Sequence, residues 1–195
     1  MKIGIMGGTF DPIHLGHLIA AECAREAAGL DEVWFIPTCI PPHKTNLPKA
    51  SAEHRLMMCR LAVADHPAFR VVDVEIIRGG TSFTADTVLT LNEWHPDLSF
   101  YYIIGADMVM YLPKWVRIEQ IIAGVSFIGL QRPGFEAALE QLPEHLAAKV
   151  QLASMPQIDI SSTAIRQRKR LGKSTRYLVS ESVRLYMEAN SLYET

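Results

Sequence analysis

Residues 2–17 decide the fold, and they read Lys-Ile-Gly-Ile-Met-Gly-Gly-Thr-Phe-Asp-Pro-Ile-His-Leu-Gly-His. The apolar run at their start predicts a buried strand. The glycine pair that follows lets the backbone approach a ligand closely, because neither residue carries a Cβ atom. His14 and His17 lie three residues apart, so they share one face if a helix begins between them. The stretch therefore predicts a strand, a nucleotide-phosphate loop and the start of a helix.

The same alternation of strand and helix continues along the chain. Further apolar runs predict strands at 33–37, 70–74 (continued by 76–77), 99–104, 125–130 and 150–154. Helical patterns follow at 15–27, 52–64, 84–94, 108–123 (interrupted at 112–113), 135–149 (broken at Pro143), 161–170 and 180–189. Strands that alternate with helices predict a parallel sheet. We expect an α/β, Rossmann-like, doubly wound parallel sheet with helices on both faces, in three layers α/β/α.

Apolar stripes predict which helix faces are buried. In the first three helices the stripes are Leu15, Ile19, Cys23 and Ala27; then Leu56, Met57, Leu61 and Ala64; then Ala85, Val88 and Leu89.

Length and composition limit the classes of protein to which the chain can belong. At 195 residues the chain is long enough for a substantial core, and we expect one domain over 1–195 with a small helical portion from about residue 161. A net charge of −2 gives no reason to expect nucleic acid, and no apolar run reaches the roughly 20 residues of a membrane span. With no signal peptide and three scattered cysteines in no metal-binding spacing, a cytoplasmic protein is predicted.

Four polar segments are predicted to meet at one edge of the sheet. Three of them, residues 7–17, 38–51 and 105–115, follow the first, second and fourth strands. The fourth, residues 161–163, begins a helix. In a parallel sheet, ligands bind beyond the carboxyl ends of the strands, where loops turn into helices. The long segment after the second strand is rich in proline, and loops of that length are often functional.

The sequence lacks the two common phosphate motifs, GxxxxGK[ST] and a GxGxxG after the first strand. Instead His14-Leu15-Gly16-His17 and residues 160–163, Ile-Ser-Ser-Thr, strongly resemble the nucleotidyltransferase superfamily marked by HxGH and ISST motifs. Within it, the chain most resembles the nicotinate-nucleotide adenylyltransferases of NAD biosynthesis. Further segments that look like this family lie at 41–44, 82–87, 105–115, 132–134 and 190–194.

The resemblance implies that AMP moves from ATP to nicotinate mononucleotide, giving nicotinate adenine dinucleotide and pyrophosphate. The acceptor phosphate is already an anion, so a direct in-line attack needs no covalent enzyme intermediate. His14 and His17 are the predicted catalytic residues, since imidazolium donates hydrogen bonds from both nitrogens and its pKa rises beside phosphates. A metal-ligand role for the histidines with Asp11 stays open, although no further ligand set is evident.

The predicted ATP-binding residues come from the HxGH loop, the segment after the fourth strand and the ISST helix. They are Gly7, Gly8, Thr9, Phe10, His14, His17, Gly105, Asp107, Ile160, Ser161, Ser162, Thr163 and Arg166. The three hydroxyls stand at a helix N-terminus, where free N–H groups bind phosphate, and Arg166 follows one turn later. Simple N-capping by serine remains the alternative for these hydroxyls.

The predicted acceptor-binding residues rest mainly on the resemblance. They are Asp11, Lys44, Thr84, Ala85, Tyr111, Trp115 and Arg132. Lys44, beside His43, is matched to the mononucleotide phosphate, and the N–H groups of Thr84 and Ala85 to the nicotinate carboxylate. Trp115 is expected to stack on the pyridine ring, with a purely structural tryptophan as the alternative. Asp11 is also expected to organise the loop by binding nearby backbone N–H groups.

Mg²⁺ is expected to arrive with ATP and to be held mainly by its phosphates. Three other functions stay open: a nicotinamide mononucleotide adenylyltransferase, a phosphopantetheine adenylyltransferase and a non-catalytic nucleotide sensor. Neither nucleic acid nor a membrane is expected as a partner, and both a monomer and a homodimer fit the chain length.

Overall fold

A parallel six-stranded sheet organises the computed structural model, which describes residues 1–41, 47–134 and 137–194. The strands are β1 (Lys2–Gly8), β2 (Glu32–Pro37), β3 (Phe69–Val71), β4 (Ser99–Gly105), β5 (Val125–Gln131) and β6 (Val150–Ser154). Their order across the sheet is β3-β2-β1-β4-β5-β6, and every neighbouring pair is parallel. The predicted doubly wound sheet is confirmed.

Helices connect the strands and cover the sheet. They are α1 (Leu15–Ala28), α2 (Ala52–Val63), α3 (Val74–Arg78), α4 (Thr84–Trp94), α5 (Ala106–Val109), α6 (Ile118–Gly124), α7 (Glu144–Ala147), α8 (Ser162–Arg170) and α9 (Glu181–Ala189). Short 3₁₀ turns lie at Leu112–Lys114 and Leu139–Gln141. No helix in the described part of the chain is long and apolar enough to cross a membrane.

Each face of the sheet carries its own apolar core, because successive side chains of a strand point to opposite faces. In β2, Val33 and Phe35 pack into the core under α1, α2, α8 and α9, whereas Trp34 and Ile36 pack into the core under α3 to α7. The three-layer α/β/α arrangement is therefore confirmed.

The third strand is shorter than predicted. Only Phe69–Val71 pairs with β2, at the edge of the sheet. The expected continuation through Ile76 and Ile77 is wrong, because α3 begins at Val74. Gly79 ends that helix at φ 71°, a conformation that glycine adopts without steric cost.

The helix predicted over 135–149 is also wrong for most of its length. Residues 135 and 136 lie outside the described residues. The following stretch forms a 3₁₀ turn at Leu139–Gln141 and the one-turn helix α7, which begins directly after Pro143. Proline fits immediately before a helix because its missing N–H has no partner to lose there.

The buried helix faces differ from the predicted stripes. In α2 the buried residues are Arg55, Met58, Cys59, Ala62 and Val63, whereas Met57 is exposed. In α1 the buried residues are Ala21 and Ala24, and in α4 Leu89 is exposed while Ala85 and Val88 are buried. The stripe of α2 is rotated because an arginine occupies part of its inner face.

The sheet order places a crevice beside its central strand. β1 leads into α1 on one face of the sheet, and the neighbouring strand β4 leads into α5 on the other. Loops that diverge in this way leave room between the carboxyl ends of the two strands, which is the usual ligand position in such sheets.

Candidate active site

Two cavities lie side by side at this crevice. The larger has a volume of about 490 Å³ and the smaller about 210 Å³. Both are lined by Gly7, Tyr102, Met108 and Trp115, so these four residues form a common wall. Two molecules bound in the two cavities would therefore meet at the end of β1.

The larger cavity brings together seven of the predicted ATP-binding residues. They are Gly7, His14, His17, Gly105, Ile160, Ser161 and Ser162. The cavity is completed by apolar residues, among them Met6, Leu130, Met155 and Ile158. It thus combines an apolar wall with the first residues of α1 and α8. The N–H groups of Leu15 and His17 in α1 donate to the carbonyl oxygens of Leu178 and His14, so backbone donors to an anion would come mainly from the N-terminus of α8.

His14 and His17 form a stacked pair at the start of α1. Their ring centroids are 3.7 Å apart and their planes differ by 23°. Nδ1 of His17 accepts the backbone N–H of His14 at 3.2 Å, so the hydrogen of the neutral His17 ring is on Nε2. Nδ1 of His14 is buried without a hydrogen-bond partner among the described residues. His17 therefore donates from one nitrogen in this geometry, and not from two as expected.

Burial keeps both rings neutral. It lowers the pKa of His14 from 6.5 to about 4. Burial, with repulsion from His14, lowers the pKa of His17 to about 3. The imidazolium charge expected from the sequence is thus disfavoured in the protein alone, and only nearby anions such as phosphates would raise these pKa values again.

The lowered pKa values predict an acid-sensitive fold. Between pH 6.5 and about 4 the unfolded chain binds protons at these two histidines that the folded chain does not bind. The contribution of the two neutral histidines to the free energy of unfolding is therefore complete above pH 6.5 and is lost as the pH decreases. We expect a loss of about 1–2 kcal/mol per histidine between pH 7 and pH 5, measured by urea unfolding. The double variant His14→Gln, His17→Gln should lose less over this range; equal losses in both proteins would contradict the prediction.

Asp11 holds four parts of the chain together instead of facing either cavity. Its carboxylate accepts hydrogen bonds from the backbone N–H groups of Lys49 (2.8 Å) and Ala50 (3.0 Å) and from the hydroxyl of Tyr193 (2.8 Å). Its carbonyl oxygen accepts from Nη1 of Arg166 at 2.7 Å. The predicted organising role fits this geometry, although its partners are distant in sequence. Both carboxylate oxygens already accept hydrogen bonds from the protein, and the assignment of Asp11 to the mononucleotide stays a prediction.

The start of α8 is tied to the HxGH loop. Ser161 Oγ accepts the N–H of Ala164 as the helix N-cap, and Ser162 Oγ donates to the carbonyl of Pro12 at 2.8 Å. Thr163 is exposed, and its hydroxyl accepts from Nη2 of Arg166. Arg166 lies in a separate depression with Lys49, Arg170 and Tyr193, outside the larger cavity. The expectation that Arg166 faces the same anion as the serines is not met in this conformation.

The other predicted ATP-binding residues of the HxGH loop and of the segment after β4 do not line the larger cavity. Gly8 and Thr9 line the smaller cavity instead of the larger. The ring of Phe10 is buried against His17, at 5.0 Å between centroids, so only its backbone could meet a ligand. Asp107 is exposed in α5 and lines neither cavity.

The predicted acceptor residues divide between the cavities. Thr84 and Trp115 line the smaller cavity, where the N–H groups of Thr84 and Ala85 open α4. The side chain of Ala85 itself is buried in the core. Arg132 lines the larger cavity, and Tyr111 is exposed beside Lys114, lining neither. Lys44 and His43 lie outside the described residues.

Three buried polar residues were missed by the sequence analysis. Tyr102 stands between the cavities, and a Cβ atom on Gly7 would collide with its hydroxyl, which explains the need for glycine there. Glu75 lines the smaller cavity. Arg55 is 1% exposed and donates to the carbonyl oxygens of Thr9 (2.8 Å) and Thr38 (2.6 Å), which also line that cavity. No motif marks these positions.

Comparison with known proteins gives the same family as the motifs. Residues 5–168 match the family model described as cytidylyltransferase-like. A protein of Geobacillus thermodenitrificans named "probable nicotinate-nucleotide adenylyltransferase" is 50% identical over 192 residues, which are 98% of this chain and 86% of that protein. The nicotinate-nucleotide adenylyltransferase of Bacillus subtilis is 44% identical over 194 residues, covering 100% of this chain and 99% of the relative.

Solved structures agree with the fold. The nicotinic acid mononucleotide adenylyltransferase of Plasmodium falciparum, complexed with NaAD, superposes with a TM-score of 0.77 at 22% identity. The match covers 99% of this chain and 97% of the other. At that identity the structure supports the fold alone, whereas the sequence relatives and the family model fix the family. This chain belongs to the nicotinate-nucleotide adenylyltransferase family of cytidylyltransferase-like nucleotidyltransferases.

Proposed function

We propose that this chain transfers AMP from ATP to nicotinate mononucleotide, giving nicotinate adenine dinucleotide and pyrophosphate in NAD biosynthesis. The observation that carries the proposal is the pair of cavities with a common wall at Gly7, Tyr102, Met108 and Trp115. One cavity contains the histidine pair of the HxGH motif, and the other contains the open start of α4. A donor and an acceptor nucleotide can thus meet in line at the end of β1.

The larger cavity suits ATP. Its apolar wall offers a surface for the adenine, and its polar end combines His14, His17 and the start of α8. Negative phosphates placed there would raise the lowered pKa values of both rings and favour hydrogen-bond donation to the transferring group. The positive ends of the α1 and α8 dipoles support the same charge.

The smaller cavity suits the mononucleotide. Trp115 offers a ring face for the pyridine, and the N–H groups of Thr84 and Ala85 offer donors to its carboxylate. The acceptor phosphate attacks the α-phosphorus of ATP, the bond to the β-phosphate oxygen breaks, and pyrophosphate leaves with that electron pair. Charge stabilisation and alignment are enough for this step, so no side chain needs to form a covalent intermediate.

Magnesium enters the proposal as part of the ATP substrate. Among the described residues, no group of three or more His, Cys, Asp or Glu side chains is arranged to hold a metal ion. Asp11, the carboxylate of the HxGH loop, is already occupied by protein donors. Phosphate oxygens and water are therefore the proposed ligands of Mg²⁺.

A pyrophosphate-release assay tests the proposed function. ATP and Mg²⁺ would be combined with nicotinate mononucleotide, nicotinamide mononucleotide or 4′-phosphopantetheine at equal concentrations. We expect the largest kcat/KM with nicotinate mononucleotide. Equal or better use of the amide would contradict the acid preference, preferential use of phosphopantetheine would identify a different acceptor, and nucleotide binding without release of pyrophosphate would indicate a sensor.

Three properties of the whole chain stay predictions. They are the single domain over 1–195 with its helical portion from about residue 161, the cytoplasmic location and the choice between monomer and homodimer.

A further inference from the structure

The wall of the smaller cavity contains two polar atoms that the protein leaves without partners. They are Oγ1 of Thr38, which follows β2, and Oε2 of Glu75 in α3. Both atoms are buried, and neither has a hydrogen-bond partner among the described residues. An unpaired polar atom in such a position costs free energy unless a ligand supplies the missing partner.

The surroundings of Glu75 favour its neutral form. Glu75 is 3% exposed and forms no ion pair in the described parts of the chain. Oε1 accepts a hydrogen bond from the hydroxyl of Thr87 at 2.6 Å. The Arg78 guanidinium donates to that same hydroxyl at 3.0 Å, and its charge favours the ionised form of Glu75. From β4, Tyr102 also faces the carboxyl group, and its phenol pKa is raised mainly by its own burial and further by Glu75.

The proton of this carboxyl group can be assigned from its hydrogen bonds. Burial raises the pKa of Glu75 above its usual value, while hydrogen bonds from the Thr87 and Ser82 side chains oppose that rise only in part. Because Oε1 already accepts from Thr87, the proton of the neutral form belongs on Oε2. Oε2 then becomes a hydrogen-bond donor for which the described residues provide no acceptor.

We infer that Glu75 is a specificity-determining residue of the smaller cavity, where its neutral carboxyl group donates a hydrogen bond from Oε2 to the carboxylate of nicotinate mononucleotide. This inference rests on the proposed function. The hydroxyls of Ser82 and Thr87 place Glu75 beside the first turn of α4, where the N–H groups of Thr84 and Ala85 are open. A carboxylate in that turn would therefore receive backbone donors from one side and Oε2–H from the other.

The charge state of Glu75 decides between acid and amide acceptors. A neutral donor favours the anionic acid, because a hydrogen bond to a charged acceptor is about twice as strong as one to a neutral acceptor. An ionised Glu75 would instead repel the acid and accept from the amide NH₂ group. The acid-to-amide ratio of kcat/KM therefore reports the state of this one side chain, since the ribose and the phosphate are identical in both mononucleotides.

Two substitutions test the inference. Glu75→Gln keeps a neutral donor of the same shape, whereas Glu75→Met keeps the approximate volume and removes the donor. We expect the acid-to-amide ratio of Glu75→Gln to remain within about threefold of wild type and that of Glu75→Met to fall about tenfold or more. Glu93→Gln, an exposed change in the last turn of α4, serves as the matched control and should leave the ratio unchanged.

Several outcomes would overturn the inference. An acid-to-amide ratio of kcat/KM that is unchanged in Glu75→Met would mean that Oε2 does not donate to the nicotinate carboxylate. A ratio in Glu75→Gln more than threefold above wild type would mean that the native group is ionised, and a ratio equally far below would mean that a carboxyl group itself is required. If wild type releases no pyrophosphate with either mononucleotide, the proposed function fails instead.

An infrared measurement keeps the inference testable if Glu75→Met does not fold. The difference spectrum of wild type with and without nicotinate mononucleotide should contain a protonated-carboxyl band that shifts on binding. The band should be missing from the spectrum of Glu75→Gln. A wild-type spectrum without such a band would overturn the inference.

Discussion

Replacing His17 with alanine should reduce kcat by at least about a hundredfold while ATP binding stays measurable. His17 lies in the larger cavity, and its ring hydrogen is on Nε2 because Nδ1 accepts the backbone N–H of His14. The substitution removes a donor to the transferring phosphoryl group and also the ring that stacks on His14 at 3.7 Å. Turnover is measured by pyrophosphate release, and binding by calorimetry with a non-hydrolysable ATP analogue.

The matched control is His145→Ala. His145 is exposed and contacts only Glu119 among the residues for which contacts are described, so its loss should leave both turnover and binding unchanged. If His17→Ala turned over at the wild-type rate, the proposed role of the histidine pair would be wrong. A complete loss of ATP binding with a normal fold would instead make His17 a binding residue for the ground state.

The fold could be predicted because its strands are short apolar runs bounded by glycine, proline and polar residues. The predicted bounds of β2, β4, β5 and β6 lie within one residue of their observed ends. β3 was misjudged because Val74, Ile76 and Ile77 have strong strand propensity, and tertiary packing made them helical at the sheet edge. Residues 137–149 have a helical composition but were split by Pro143.

The site could be predicted where a motif fixes both residue type and backbone position. His14, His17, Ser161 and Ser162 line the larger cavity together, although 142 residues lie between the two motifs in sequence. Phe10, Asp107 and Tyr111 belong to the same motif segments, yet their side chains face the core or solvent. A motif identifies the segment that meets a ligand; the direction of each side chain depends on packing that sequence alone does not contain.

The buried polar residues could not be predicted from the sequence for a different reason. Hydrophobic periodicity treats arginine and glutamate as surface residues. The predicted buried stripe of α2 therefore omits Arg55, which lies on the true inner face, and Glu75 falls between residues predicted as a strand. Both residues line or support the smaller cavity. The acceptor side of the site thus depends on buried polar residues that hydrophobic periodicity does not identify.

Replacing Arg55 with methionine should lower the free energy of unfolding by about 3–5 kcal/mol. Arg55 is 1% exposed, and its four hydrogen bonds join the loops after β1 and β2 to the start of α2. Its acceptors are the carbonyl oxygens of Thr9, Thr38, Cys39 and Ala50. Methionine fills a similar volume but supplies none of these four hydrogen bonds, so the cost is that of losing buried, charge-assisted hydrogen bonds. Urea unfolding at pH 7.5 measures it.

Arg60→Met provides the control on the same helix. The Arg60 side chain is half exposed and pairs with Asp73 at 3.0 Å, so its loss should change the free energy of unfolding by less than about 1 kcal/mol. Because Thr9 and Thr38 line the smaller cavity, Arg55→Met should also raise KM for the mononucleotide more than KM for ATP. Equal stability losses in the two variants would mean that the four carbonyls find other donors. A selective rise in KM for ATP would mean that Arg55 supports the donor side of the site instead.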